Sequence, residues 1–375
     1  MYLKKLKLNN FRNYIDFEQI FNHPKTIIIG QNAQGKSNIL EAINILATSE
    51  SERAEKDSAL VYWDKEYALI FADIESKAGH TEIALQINTT GRRKLKINDV
   101  LKKAPQADLL GNFFAVMFSC DDLYLIKGSP SARRRWLDSI LFQLDINYHR
   151  KLQDYQKSVA QKNALFKKAI ETRMQKIELK QQLEIWNEQI INLGSEIIFT
   201  RLRFIEEIEP MSGRFLGNIS KHSEDLELVY KSTLGSIHEN IKEKFLQTLN
   251  NAFEEELARG QSTIGPHRDD LIFLINKKEA KLFASQGQHR SIILAVKLAE
   301  LSIIEKRTGQ TPVLLLDDVF AELDASRQDY LLHNLPENIQ TFLTTTHISD
   351  IQKELLKDAQ VLEVKGGKIV EVIPA

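Results

Sequence analysis

Apolar and polar positions keep three different rhythms along the chain. In the first 30 residues they alternate, imperfectly, with Leu3, Leu6 and Leu8 set among Lys4, Lys5 and Lys7. Alternation with a period of two marks a half-buried strand. Asn9-Asn10 predicts a turn, and Tyr14 to Phe21 predicts a second strand. Thr26-Ile27-Ile28-Ile29 is a β-branched run that suits a buried parallel strand, and it stops at Gly30. From Ser37 the spacing turns helical, with Ile39, Ala42, Ile43 and Leu46 on one face. Tyr67 to Ile74, Thr81 to Asn88 and Lys94 to Ile97 read as antiparallel strands, and Phe113 to Phe118 as another apolar strand.

Between about 131 and 258 strand signals fade and long helical patterns take over. Glycine is missing from 129 to 193, which favours extended helices. After about 262 strands return at Leu271 to Ile275, Val313 to Leu316 and Thr341 to Thr344. The expectation is an α/β fold. One lobe, 1–125 with 262–375, carries an antiparallel β-subdomain and is split by a mainly helical lobe, 126–261. The 375 residues suit two or three domains at about 150 residues each.

Composition changes this picture little. Lys plus Arg number 50 and Asp plus Glu 51, so a nucleic-acid partner must be held by local charge, not by a global excess. Residues 91–103 supply six cations (Arg92, Arg93, Lys94, Lys96, Lys102, Lys103) against Asp99; residues 151–185 supply eight against four carboxylates. Such stretches suit phosphates and equally suit a solvated face. The single cysteine, Cys120, forms no internal disulfide and fits a reducing compartment. No uncharged run approaches the roughly 18 residues of a membrane span. Met1 to Leu6 leads straight into alternating residues with no signal-peptide core. A cytoplasmic protein with no membrane partner is expected.

The chemistry begins at Gly30-Gln31-Asn32-Ala33-Gln34-Gly35-Lys36-Ser37, a complete G-x-x-x-x-G-K-[ST] motif between a strand and a helix. The glycines let backbone N–H groups converge on phosphate oxygens, and the helix adds its positive end. Lys36 reaches terminal phosphates, and the Ser37 hydroxyl joins a Mg²⁺ shell. Val313-Leu314-Leu315-Leu316-Asp317-Asp318 is an apolar strand ending in two carboxylates. Asp317 is the second expected Mg²⁺ ligand and Asp318 the group that orients or activates water. An interval of 280 residues separates Ser37 from Asp317 (317 − 37), so an insertion is expected between them.

Ser285-Gln286-Gly287-Gln288 before a helix resembles the signature of ABC-type ATPases; Ala321-Glu322-Leu323-Asp324 resembles their D-loop and Thr344-Thr345-Thr346-His347 their switch histidine. Taken alone, His347 reads as a strand-end histidine with a satisfied hydrogen bond. Four segments beyond the phosphate loop make the chain similar to the RecF family of recombination and repair ATPases, relatives of chromosome-maintenance heads. They are Asn10-Phe11-Arg12-Asn13-Tyr14, Gly128 to Asp138 with its three arginines, Gly265-Pro266-His267-Arg268-Asp269-Asp270, and Ala284 to Gln288. The resemblance implies an ABC-type head that binds ATP with Mg²⁺ and closes as a homodimer. Ser285, Gly287 and Gln288 would complete the partner's nucleotide site, Asp324 would stand at the interface, and His347 would contact the γ-phosphate. It also implies contact of Arg12 and Asn13 with the nucleotide, although Arg12 alone reads as a surface arginine.

The same resemblance implies binding to double-stranded or gapped DNA, the partners RecR and RecO, and loading of RecA. Asp318 stands where ABC proteins usually have glutamate, one methylene longer, so slow turnover is expected. No Q-loop glutamine is evident near Phe118 to Asp122. Arg133, Arg134 and Arg135 equally suit ion pairs inside the lobe, and the His267 turn suits a structural role. Competing readings are a transporter ATPase, the ATPase head of a nuclease, and a DNA protein that binds ATP without hydrolysing it.

Overall fold

The computed structural model describes residues 1–237, 240–348, 351 and 356–372. The chain forms two compact units: Met1–Leu123, Phe142–Ile146 and Arg290–Ala375 make the first, Tyr124–Leu141 and Asn147–His289 the second.

The first unit contains two six-stranded sheets. In the antiparallel one the strands run Tyr14–Ile20, Tyr2–Phe11, Tyr67–Ser76, Gly79–Asn88, Arg93–Ile97, Val100–Leu101. In the other the order is Lys368–Val372, Ala359–Lys365, Lys25–Ile29, Thr341–Thr345, Val313–Asp317, Ala115–Ser119. All its pairings are parallel except the outermost hairpin. One core draws on both sheets and on the helix Lys36–Thr48. That helix buries Leu40 and Ile45 as well as the predicted Ile39, Ala42, Ile43 and Leu46. Its apolar residues extend around the axis, as in a helix enclosed by its own domain.

The predicted turn at Asn9-Asn10 falls three residues too early. The strand continues to Phe11, whose ring is buried and which pairs with Tyr14. The reversal is made by Arg12-Asn13, with Arg12 at φ 53°.

The second unit holds the helices Pro130–Leu144 (in part), Ile146–Thr172, Lys176–Ile219 and Ile241–Arg259. The 44 residues of Lys176–Ile219 span about 66 Å at 1.5 Å per residue. Asn240 caps the last of the four by accepting the Glu243 N–H, and Gly260 ends it in the left-handed conformation, φ 64°. The helical reading of 131–258 misses one strand, Leu226–Lys231, which pairs antiparallel with Asp270–Ile275 in full register. That pairing places 262–289 with the helical unit, and not with the lobe to which sequence rhythm assigned it. Among the described residues no helix is long and apolar enough to cross a membrane.

Candidate nucleotide site

Parallel pairing sets the site. Ile29 lies opposite Thr345, Thr344 opposite Asp317, and Asp317 opposite Ser119. The carboxyl ends of four adjacent strands therefore share one edge, and the phosphate loop, His347, the two aspartates and Cys120 all follow from it. Ligands of open α/β sheets bind at such an edge.

The loop Gly30–Ser37 has little freedom. A Cβ on Gly30 would stand 2.6 Å from the Val364 carbonyl oxygen. Gly35 has φ 111°, and a Cβ there would meet Asn13 Nδ2 at 2.5 Å and Tyr14 Oη at 2.9 Å. The hairpin tip braces the loop: Asn13 donates to the Gln34 carbonyl (2.9 Å), Tyr14 to the Gly35 carbonyl (3.1 Å), and Asn38 to Asn13 Oδ1 (2.8 Å). Gly366 N–H donates to Gln34 Oε1 (2.7 Å), while Gln31, Asn32 and Ala33 are exposed at the bend. Lys36 folds its ammonium onto the carbonyls of Gly30 (2.8 Å) and Gln31 (3.3 Å). A cation on the inside of a loop whose helix starts at the next turn leaves a concavity suited to anions.

Ser37 Oγ donates to Asp317 Oδ1 at 2.8 Å. Thr344 Oγ1 donates to the same oxygen at 2.7 Å and accepts the Asp318 N–H at 3.0 Å. Asp318 takes the left-handed conformation, φ 55°, which turns the chain at the strand end. Burial, chiefly, and the adjacent Asp317 carboxylate raise its pKa, while Lys36 opposes the rise. The hydroxyl and carboxylate of Ser37 and Asp317 form an all-oxygen donor set, the hard type that Mg²⁺ takes together with phosphate and water oxygens.

Arg12 is partly buried and tied to its neighbours. Its guanidinium binds the Glu41 carboxylate with two bonds of 2.8 and 2.6 Å and the Ala59 carbonyl with a third, 2.9 Å. Glu41 is almost fully buried on the P-loop helix. A planar fork matched to a carboxylate in this way is a brace of the hairpin tip. Sequence reasoning missed Glu41, which lies inside an apolar helical pattern with nothing to mark it.

In the second unit Ser285 and Gln288 form a reciprocal cap: Ser285 N–H donates to Gln288 Oε1 (2.8 Å) and Gln288 N–H to Ser285 Oγ (3.2 Å). Gln288 Nε2 also donates to Glu224 (2.9 Å). Ser285 remains exposed at the start of helix Gln286–Thr308, with Gly287 in its first turn. Asp324 caps helix Ala325–His333 through the Arg327 N–H (2.9 Å) and pairs with the Arg327 guanidinium. Those bonds, the backbone one first, lower its pKa. The His347 imidazole is exposed; the backbone N–H of His347 meets Thr345 Oγ1 at 3.4 Å.

Most of the other singled-out residues make contacts inside the second unit. Arg133 makes a bidentate pair with Asp270 (2.7 and 2.9 Å), and Arg134 donates to the Asp269 carbonyl (2.7 Å). Asp269 accepts from Tyr230, Ser232 and Thr233. His267 Nδ1 meets Tyr155 Oη at 2.6 Å. Within the basic stretches, Arg93 is paired with Asp57 and Lys162 with Glu256, all with little exposure, so these two cations are withdrawn from any phosphate-binding face.

The family described as the RecF/RecN/SMC N-terminal domain matches residues 2–369. The DNA replication and repair protein RecF of Synechococcus sp. (strain JA-2-3B'a(2-13)) is 41% identical over 375 residues, covering 98% of this chain and 97% of that one. A solved structure of the recombination mediator protein RecF-ATP in the RecFOR pathway has a TM-score of 0.90 and 35% identity, covering 99% and 98% of the two chains. The Smc head domain from Pyrococcus furiosus, with 20% identity and a TM-score of 0.53 over 99% and 96%, shares the fold. A braced phosphate loop, the two carboxylates on the next strand but one and a capped signature helix thus accompany similarity along nearly the whole chain, and the chain belongs to the RecF family.

Proposed function

We propose that this chain is an ATP-driven switch of recombination repair. One protomer supplies Lys36 and Ser37, and a second copy supplies Ser285, Gly287 and Gln288 across a two-fold homodimer. One P-loop and one signature per chain make two copies the simplest complete set. The observation that carries the reading is the 2.8 Å contact of Ser37 with Asp317, two residues 280 apart in sequence.

Bound Mg²⁺ would supply charge neutralisation on the phosphates, held by Ser37 and Asp317. Lys36 exchanges its two carbonyl partners for phosphate oxygens. Asp318 accepts the proton of an attacking water. Its side chain is one methylene shorter than that of glutamate and reaches less far, which favours slow turnover. His347, exposed after the strand Thr341–Thr345, contacts the γ-phosphate, and Asp324 stands at the interface. Asn13 and Arg12 act indirectly, by bracing the loop.

Loss of the γ-phosphate loosens the dimer, which makes the nucleotide state a bias on a two-state equilibrium. The ATP-closed dimer binds double-stranded or gapped DNA through its phosphates, with Arg92, Lys94, Lys102, Lys103, Lys167 and Lys168 as the available cations, and works in the cytoplasm with RecR and RecO. The relatives' names and the RecF-ATP structure in the RecFOR pathway support this reading.

Sedimentation with and without ATP, Mg²⁺ and duplex DNA tests it. The expected result is a monomer that becomes a dimer with ATP and binds DNA in that form. A chain that stays monomeric with saturating ATP overturns it.

A further inference from the structure

The turn Cys120–Asp122 follows strand Ala115–Ser119 at the edge of the nucleotide site. It is held by Lys297, a lysine with almost no exposure on the helix that begins at the signature. Its ammonium donates to the Met117 carbonyl (2.6 Å), pairs with Asp122 (3.0 Å) and lies 3.8 Å from Glu300. Burial works against the charge, but Asp122 and Glu300 outweigh it and hold the lysine above its ordinary pKa. A buried ammonium shared by two carboxylates is a fixed point, because removing it leaves both buried carboxylates without a countercharge.

Asp122 uses its second oxygen on the same turn. Asp122 Oδ2 accepts the Ser119 N–H at 2.6 Å, and the Ser119 side chain accepts the Asp122 N–H in return. The turn so closed presents Cys120, whose thiol meets the main-chain carbonyls of Asp317 (3.8 Å) and Asp318 (3.9 Å). An unbroken chain of contacts therefore leads from Lys297 through Asp122 and Cys120 to the backbone of both site carboxylates.

We propose that Lys297 is a positioning residue of the nucleotide site, which locks the Cys120–Asp122 turn against Asp317 and Asp318 and so sets the place of the water-activating carboxylate. This role rests on the ATPase reading given above. It assigns to a buried ion pair the registration of this turn with the sheet edge.

Cys120 is the only cysteine, so the lock has a readout that needs no nucleotide. The thiol-labelling rate of Cys120 and single-turnover phosphate release are measured on the full chain for wild type, Lys297→Met, Lys297→Arg and the double variant Asp122→Asn/Lys297→Met. The double variant also removes the nearer of the two carboxylates that Lys297 compensates, and so keeps a folded protein to measure if Lys297→Met alone does not fold. Lys297→Met and the double variant are expected to label at least tenfold faster and to release phosphate about tenfold more slowly, with ATP affinity unchanged. Lys297→Arg restores both rates.

Unchanged labelling in the folded double variant overturns the lock. Faster labelling with unaltered phosphate release overturns the positioning role. A parallel loss of ATP affinity and of melting temperature, with no separation of binding from release, marks a merely structural lysine and also overturns it. If wild type neither binds ATP nor releases phosphate, the ATPase reading and the positioning role fall together, and the labelling comparison still decides the lock.

Discussion

Gly35→Ala isolates the geometry of the phosphate loop. The backbone at Gly35 has φ 111°, ψ 3°, a region that costs a side-chain-bearing residue about 1–3 kcal/mol. The new methyl would sit 2.5 Å from Asn13 Nδ2, 2.7 Å from Asn13 Oδ1 and 2.9 Å from Tyr14 Oη, all inside contact distance. Asn13 must move, and both of its loop bonds, to the Gln34 carbonyl and from Asn38, go with it. Each such bond contributes about 1 kcal/mol net. Backbone strain and two lost bonds sum to roughly 3–5 kcal/mol, a large part of the 5–15 kcal/mol typical of a folded domain.

Because the chain has two units, a global melt would mix their transitions. The assay is therefore hydrogen exchange of the helix Lys36–Thr48, read with ATP affinity on the same sample. Helix amides are expected to exchange about 100-fold faster or more, and ATP binding to be lost. Wild-type protection together with wild-type affinity would refute the argument that the hairpin tip clamps the loop.

Three further outcomes are expected. Lys36→Ala removes the cation of the loop and should weaken ATP binding by about 10–100-fold, the span of a charge-assisted hydrogen bond, with loss of ATP-dependent sedimentation as a dimer. Ser285→Arg leaves the P-loop untouched, so ATP binding by the single chain should persist while the dimer disappears in the same sedimentation experiment. His267 has its pKa lowered by burial from 6.5 to about 4; the unfolded chain therefore takes up the proton first, and stability that is complete above about pH 6.5 is lost as the pH falls towards 4, by about 3 kcal/mol. His267→Gln should flatten that window in denaturant titrations repeated from pH 7 to 4.

What could be read from the residues alone was what lies close together in the chain. The phosphate loop is eight consecutive residues, and its strand-then-helix setting is visible on either side. The acidic strand end at Asp317 is equally local, and its meeting with Ser37 follows once the loop is recognised. Partners distant in sequence were not legible. Glu41 sits in an apolar helical run, and nothing near it signals that Arg12 will close on it. Strand Leu226–Lys231 was missed because its neighbours are helical and its pairing partner lies about 40 residues on. Lys297 looks like any cation in an amphipathic helix until tertiary packing encloses it. The early turn at Asn9-Asn10 was a case of local preference overridden, since a buried Phe11 is worth about 1.5–3 kcal/mol, more than a favourable turn residue contributes.

The place of strand Lys25–Ile29 has a consequence for how the protein is made. Both of its neighbours, Thr341–Thr345 and Ala359–Lys365, come from the far end of the chain. At ribosomal speeds of about 5–20 residues per second, the phosphate loop waits roughly 15–60 s after synthesis before either flanking strand exists. During that time its hydrophobic β-branched segment has two open edges, the condition in which nascent chains pair wrongly. Incomplete translation products would lack both flanking strands and would depend on chaperones, so a broken message yields aggregation-prone fragments.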